Sequence, residues 1–180
     1  MLRITGGIHK GSYVLTASKR SVRYTSARVR EAIFDMVEVE DLEVLDLFSG
    51  SGLLAFEALS RGARHATCVE KDPEMVKLIK RNVERLDMGD RISLIPRDVR
   101  VAVPMLHKSS RRYDIIFLDP PYGGPHMEMA VRLLLKYPLD KEQAIFVFEY
   151  SKGMVYAFAD FETVSRKVYG GTVVDVLRRR

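Results

Sequence analysis

From residue 43 onward, short apolar runs alternate with longer stretches of helical period. Glu43–Phe48, Ala66–Glu70, Ile92–Pro96, Tyr113–Asp119 and Ala144–Tyr150 read as strands. Leu53–Arg61, Pro73–Leu86, Val99–His107 and Met127–Lys136 read as the helices between them; Gly62 ends the first, and Asp72 caps the second with Pro73 in its first turn. Repeats of this kind with near-continuous apolar strands demand a mostly parallel sheet covered on both faces. Ligands of such sheets bind beyond the carboxyl ends of the strands, near the point where strand order reverses. Two regions depart from the alternation. Residues 2–16 read as a hairpin around Gly6, Gly7 and Gly11, and residues 17–24 as a basic loop. Thr25 or Ser26 then caps a helix to about Val39, with Val29, Ile33, Met36 and Val37 on its buried face and Arg28, Arg30, Glu31 and Asp35 mostly off it. At the other end, Phe161–Tyr169 and Thr172–Arg178 flank Gly170-Gly171, a closing hairpin expected to add an antiparallel strand at one edge. The expected division is residues 1–24, a basic hairpin or arm, and residues 25–180, the α/β domain.

Charge is distributed unevenly. Of the 29 Lys and Arg, seven (Arg3, Lys10, Lys19, Arg20, Arg23, Arg28, Arg30) lie in the first 30 residues, which hold no Asp or Glu. The net charge of +5 therefore resides at the N-terminus, and the rest of the chain is slightly acidic. A basic arm on a near-neutral domain points to a polyanionic partner, chiefly nucleic acid. The single cysteine, Cys68, excludes an internal disulfide, and the four histidines show no ligand spacing, so no metal is expected. With no apolar run of membrane length and no secretory h-region, the expected setting is the cytoplasm, without membrane association, and the expected state a monomer. Asn82 and Gln143 are the only amide side chains, a depletion that fits a hot source.

The chemistry-bearing residues gather where the strands end. The first strand runs into Asp46-Leu47-Phe48-Ser49-Gly50-Ser51-Gly52, the second into Glu70-Lys71-Asp72, the third into Arg97-Asp98, and the fourth into Asp119-Pro120-Pro121-Tyr122. Any one acid here is explained by capping the next helix; the four together point to a ligand. Glycines in the first turn let backbone approach that ligand closely. A carboxylate at Glu70 suits a bidentate grip on a ribose diol. Asp46 and its fellow acids would repel a pyrophosphate, and Ala55 stands where the dinucleotide fingerprint has its third glycine. A cationic nucleoside fits better, and the common one is S-adenosylmethionine. The two prolines after the fourth strand make a stiff segment that offers acceptors only. The Asp119 carboxylate and the Pro120 carbonyl can both accept from an NH₂ group, while Tyr122 offers a face on which a base stacks.

These stretches, in this order, resemble the successive motifs of class I S-adenosylmethionine-dependent methyltransferases. More closely, the chain is similar to the RsmD family, bacterial 16S rRNA guanine-N2 methyltransferases. Arg3-Ile4-Thr5-Gly6-Gly7, Arg23–Phe34, Phe56–Ala63 and Tyr169-Gly170-Gly171-Thr172 extend the likeness over essentially the whole chain. Tyr24, Ala27 and Ser12 depart from the Pro, Asp and Arg usual there. The resemblance implies a Rossmann-like fold with a seven-stranded, mostly parallel sheet and a reversed last strand. It implies S-adenosylmethionine as cofactor, with the methionine part at Ser49–Gly52, the ribose at Glu70 and the adenine edge at Asp98 and Val99. The full cofactor set is Asp46, Phe48, Ser49, Gly50, Gly52, Glu70, Lys71, Asp98 and Val99. Asp119, Pro120, Pro121 and Tyr122 would receive the guanine, and Lys10, Lys19, Arg20, Arg23 and Arg28 would grip RNA phosphates. The implied substrate is 16S rRNA within a partly assembled small subunit. A DNA adenine-N6 methyltransferase and a catalytically silent RNA-binding assembly factor share the fold and stand as alternatives.

Overall fold

The computed structural model describes residues 1–17, 24–121 and 124–180. A two-stranded hairpin, β1 (Leu2–Arg3) and β2 (Tyr13–Val14), precedes α1 (Ala27–Met36). The alternating region follows as β3 (Glu43–Asp46), α2 (Leu53–Ser60), β4 (His65–Val69), α3 (Pro73–Leu86), β5 (Ile92–Ile95), α4 (Val99–Lys108), β6 (Tyr113–Leu118), α5 (His126–Lys136) and β7 (Asp140–Ser151). β8 (Phe161–Tyr169) and β9 (Thr172–Arg179) close the chain.

Seven strands form one sheet in the order β5-β4-β3-β6-β7-β9-β8. β3 pairs in parallel with β4 on one side and with β6 on the other, so strand order reverses between β3 and β6. Period-two alternation then assigns residues to two cores. Val44, Ile115, Phe117 and Val147 face α1, α2 and α3; Leu45, Ile116, Leu118 and Phe146 face α4 and α5. Cys68 lies in the first of these cores, as its apolar strand implies. The closing hairpin does occupy an edge, but its antiparallel strand is the inner one. β9 inserts between β7 and β8 and runs against both. The reason is apolar content: Val173, Val174, Val176 and Leu177 of β9 are buried, whereas most of β8 is exposed.

Two details differ from expectation at the N-terminus. α1 stops at Met36, because Val37 takes extended backbone at φ −131° and ψ 129°. Arg30 does not lie off the buried face; it is one of the most buried side chains, 1% exposed. Its Nε donates to Glu57 Oε1 of α2 at 3.0 Å, and Glu57 is fully buried. The remaining guanidinium N–H groups donate to Thr25 O at 2.6 Å and Arg3 O at 2.7 Å. Glu57 also accepts from the Thr5 amide at 2.8 Å and the Thr5 hydroxyl at 3.0 Å. The hairpin is thus sewn to α2 through one ion pair, and Ile4 and Val14 join the core beneath it. Close approach requires glycine at Gly7, with φ 74°, where a Cβ would stand 1.8 Å from the Ser60 carbonyl oxygen.

Arg61 also reaches Glu57 Oε2, at 3.4 Å, but removing Arg30 takes away the closer, fully buried partner and leaves Glu57 Oε1 and the carbonyls of Thr25 and Arg3 without its donors. Arg30→Met is therefore expected to cost about 3–5 kcal/mol of folding free energy. Arg64→Ala, which breaks an exposed pair with Asp41, should barely move the unfolding midpoint. Urea titrations of the two variants beside the parent check the contrast.

Candidate active site

The carboxyl ends of β3, β4, β5 and β6 surround a cavity of about 410 Å³. Its wall begins at Asp46, the last residue of β3, and continues through the turn into α2. That turn is held by its own backbone: the Ser49 amide donates to Val69 O at 3.1 Å and the Gly52 amide to Ser49 O at 2.7 Å. Beneath it, the buried side chain of Asn82 donates to Ser51 O at 3.4 Å while pairing with both backbone groups of Leu15. Gly52 caps α2 at φ 81° and does not face the cavity; a Cβ there would meet the Phe56 ring at 2.8 Å.

Asp46 is almost fully buried, and its Oδ1 has no hydrogen-bond partner among the described residues. Burial, reinforced by the nearby negative charges of Asp119 and Glu70, pushes its pKa up to about 8. Ser51, on the same wall, likewise has a buried and unpartnered hydroxyl. An orphaned carboxylate oxygen among other acids is a receptor for a cation with hydrogens to donate. The ammonium group of S-adenosylmethionine meets that requirement, so the residues present fit this cofactor.

Glu70 follows β4 and receives two backbone donors, Gly50 at 2.7 Å and Asp72 at 2.8 Å. These fix the carboxylate beside the glycine turn, where its remaining lone pairs can accept from a diol. Asp98 caps α4 by accepting from the Arg100 amide at 3.0 Å, and its carboxylate pairs with the Arg100 guanidinium at 2.8 Å and with Lys71 at 3.2 Å. The Arg100 hydrogen bonds hold its pKa well below the usual carboxylate range. Val99 is buried behind it and lines the same cavity.

The same cavity is lined by Asp119, Pro120 and Pro121, which follow β6, the neighbour of β3. Pro120 is buried and Pro121 exposed. The Thr25 hydroxyl lies 3.0 Å from Asp119 Oδ2 and 3.0 Å from Glu149 Oε2. Of the two candidate caps for α1, Ser26 does the capping, accepting from the Val29 amide at 3.3 Å. Thr25 is thereby left to the site. Sequence reasoning misses Glu149, although a signal exists: it is the one acid in the run Phe146-Val147-Phe148-Glu149-Tyr150. Register explains its placement, since Leu118 pairs with Phe148 and the next residues of β6 and β7 emerge side by side. Tyr24, Met75, His126 and Met129 also line the cavity and carry no sequence signal.

The structure therefore brings together Asp46, Phe48, Ser49, Gly50, Glu70, Lys71, Asp98, Val99, Asp119, Pro120 and Pro121 around one space. Tyr122, Lys19, Arg20 and Arg23 lie outside the described residues. Lys10 is exposed on the hairpin turn and away from the cavity. Arg28 lines a second cavity of about 280 Å³, with its guanidinium 5.8 Å from the centre of the Tyr169 ring. Among the described residues no group of three His, Cys, Asp or Glu side chains is placed to hold a metal ion, and no helix is long and apolar enough to cross a membrane.

Comparison with known proteins follows the same contours. The family model described as conserved hypothetical protein 95 matches residues 2–178. Ribosomal RNA small subunit methyltransferase D of Haemophilus influenzae is 30% identical, over 84% of this chain and 79% of its own length. Its namesake in Buchnera aphidicola is 30% identical over 82% of this chain and 75% of its own. A solved hypothetical protein of Thermus thermophilus superposes with TM-score 0.85 at 29% identity, covering 98% of each chain.

A pH dependence follows from Asp46. In the ligand-free protein this carboxyl holds its proton more tightly than in the unfolded chain, so its contribution to stability is full below pH 3.8 and is lost as the pH rises to about 8. Asp46→Asn should flatten the decline in melting temperature over that window and raise the melting temperature at pH 9. Thermal unfolding of the two proteins from pH 4 to 9 measures this.

Proposed function

The chain belongs to the conserved hypothetical protein 95 family, the RsmD family, and we propose that it methylates the exocyclic N2 of a guanine in 16S rRNA with S-adenosylmethionine as donor. The observation that carries this reading is one cavity lined by Asp46 and Glu70, which suit a cationic nucleoside, together with Asp119 and Pro120, which suit an amine. The small-subunit methyltransferase names of the H. influenzae and B. aphidicola relatives support rRNA as substrate, and a particle carrying ribosomal proteins in the cytoplasm is its expected form.

When bound, S-adenosylmethionine supplies an electrophilic methyl group on a cationic sulfur. Everything else is done by this chain. Asp46 and the turn at Ser49–Ser51 hold the methionine end, Glu70 the ribose, and Asp98 with Val99 the adenine. A guanine amine is a poor nucleophile because its lone pair is delocalised into the ring. Asp119 and the Pro120 carbonyl orient its two N–H groups, favour the pyramidal geometry of attack, and stabilise positive charge as it grows on nitrogen. The amine then gives up one proton, to Asp119 or to water. Alignment of this kind can lower the barrier by about 7–11 kcal/mol. The base must first leave its stack at a cost of a few kcal/mol, part of which stacking on Tyr122 offsets. Lys10, Lys19, Arg20, Arg23 and Arg28 are assigned to phosphates, which position the RNA without reading its sequence.

Incubation with labelled cofactor and subunit particles from cells lacking the enzyme, followed by nucleoside analysis, is expected to yield N2-methylguanosine; N6-methyladenosine would refute the reading. Asp119→Ala should abolish turnover while cofactor affinity, measured by calorimetry, changes little. Replacing Lys19, Arg20 and Arg23 together by Ala should weaken RNA binding and reduce the salt slope by up to about three phosphate contacts.

A further inference from the structure

The two cavities share a wall made by Tyr24, Thr25 and Glu149. The second cavity opens between the start of α1 and the β8–β9 turn, where Arg28 and Tyr169 stand at its rim. It offers a nucleotide a cation and an aromatic ring on the far side of the shared residues from Glu70, which lines only the first cavity. Glu149, only 4% exposed, sits in that wall on β7, hydrogen-bonded in register with Val174 of β9. A carboxylate buried at a strand position costs stability, and an apolar residue there would pack the sheet without that cost. The Thr25 hydroxyl lies 3.0 Å from both Glu149 and Asp119, so the two acids are no further apart than twice that distance. Each carboxylate has about four lone-pair sites, so a hydrogen bond already made leaves capacity for a donor arriving from the cavity.

We propose that Glu149 selects the base: it accepts from N1–H of guanine while Asp119 and Pro120 hold the neighbouring N2 amine. The assignment rests on the guanine-N2 reading above and adds the residue that decides it. Guanine presents two adjacent donors on its Watson–Crick edge, N1–H and the N2 amine. Two carboxylates set side by side match that pair. Adenine presents an amine beside an N1 lone pair, and a lone pair turned toward Glu149 is repelled. Unstacked bases in RNA are read along this edge, and a site built to receive a hydrogen bond rejects an analogue that lacks the donor. Thr25 is a positioning residue, spacing the two acceptors.

The test compares two substrates that differ along the N1–C6 edge. One is the target RNA; the other carries 2-aminopurine at the methylated position, which keeps the N2 amine but has a lone pair in place of N1–H and no carbonyl at C6, so the Glu149→Gln variant is what isolates the N1 contact. Wild-type enzyme is expected to prefer guanine by roughly 10⁴-fold in kcat/KM, the lower end of the range by which sites reject analogues lacking a donor. Glu149→Gln, whose amide can donate, is expected to lose guanine turnover by a similar factor and to favour 2-aminopurine, with cofactor affinity unchanged. Thr25→Ser should retain wild-type preference. Equal turnover of both bases by wild-type enzyme overturns the proposal without any variant. So does a Glu149→Gln enzyme that keeps the wild-type preference, or one that loses both substrates equally, as a purely structural role would require. Failure of wild-type enzyme to form N2-methylguanosine on ordinary RNA would instead strike the function itself.

Discussion

The Arg30–Glu57 ion pair, enclosed between α1, α2 and the N-terminal hairpin, organises the site from a distance. Taking two charges out of water is expensive unless every remaining donor and acceptor is matched. Here the matching is dense: Glu57 receives Thr5 twice and Arg30 and Arg61 once each, and Arg30 reaches the carbonyls of Arg3 and Thr25. The last of these contacts is the consequential one. By fixing the backbone of Thr25, the pair fixes the hydroxyl that touches Asp119 and Glu149. A helix start, a hairpin and the Asp119–Glu149 corner thus share one chain of hydrogen bonds. A hydrophobic pair of equal volume could fill the space, but would not carry orientation from Glu57 to Asp119.

The cavity itself is an electrostatic device. Asp46, Glu70, Asp119 and Glu149 converge on it, and burial, reinforced by repulsion from Asp119 and Glu70, raises the Asp46 pKa to about 8, which keeps it protonated near neutral pH when no ligand is bound. A ligand with an ammonium and a sulfonium reverses that balance, because its charges offset those of the acids. The same acids disfavour pyrophosphate, which separates this site from dinucleotide-binding relatives of the same architecture. Cys68, packed behind Asp46, feels the environment as well: burial pushes its thiol far up, which leaves it an apolar filler.

Local signals make most of the fold legible. Asp72 and Pro73 open α3 where capping chemistry places them, and Gly170-Gly171 joins β8 to β9. The site is legible where residues stand directly after strands, as at Asp46, Glu70, Asp98 and Asp119. Arg30 escapes such reading because an arginine on a helix is ordinarily solvated, and its partner lies in another helix. Thr25 and Ser26 are equivalent as caps; which of them turns inward depends on Asp119 and Glu149 being there to meet it. Glu149 hides inside an aromatic run whose alternation speaks only of packing. Asn82 shows only as a rarity, yet its amide ties the segment after β2 to α3 and to the glycine turn.

By itself, the sequence determined the strand-helix alternation, the acids at the strand ends, the stiff proline segment and the basic arm, since each depends on backbone preferences or charges within a few residues. Tertiary structure alone decided that β9 lies inside β8, that Arg30 is internal, and that Asp119 and Glu149 share one hydroxyl. Those outcomes depend on pairing between segments far apart in the chain, where register and competition for burial choose among partners that local chemistry leaves equal.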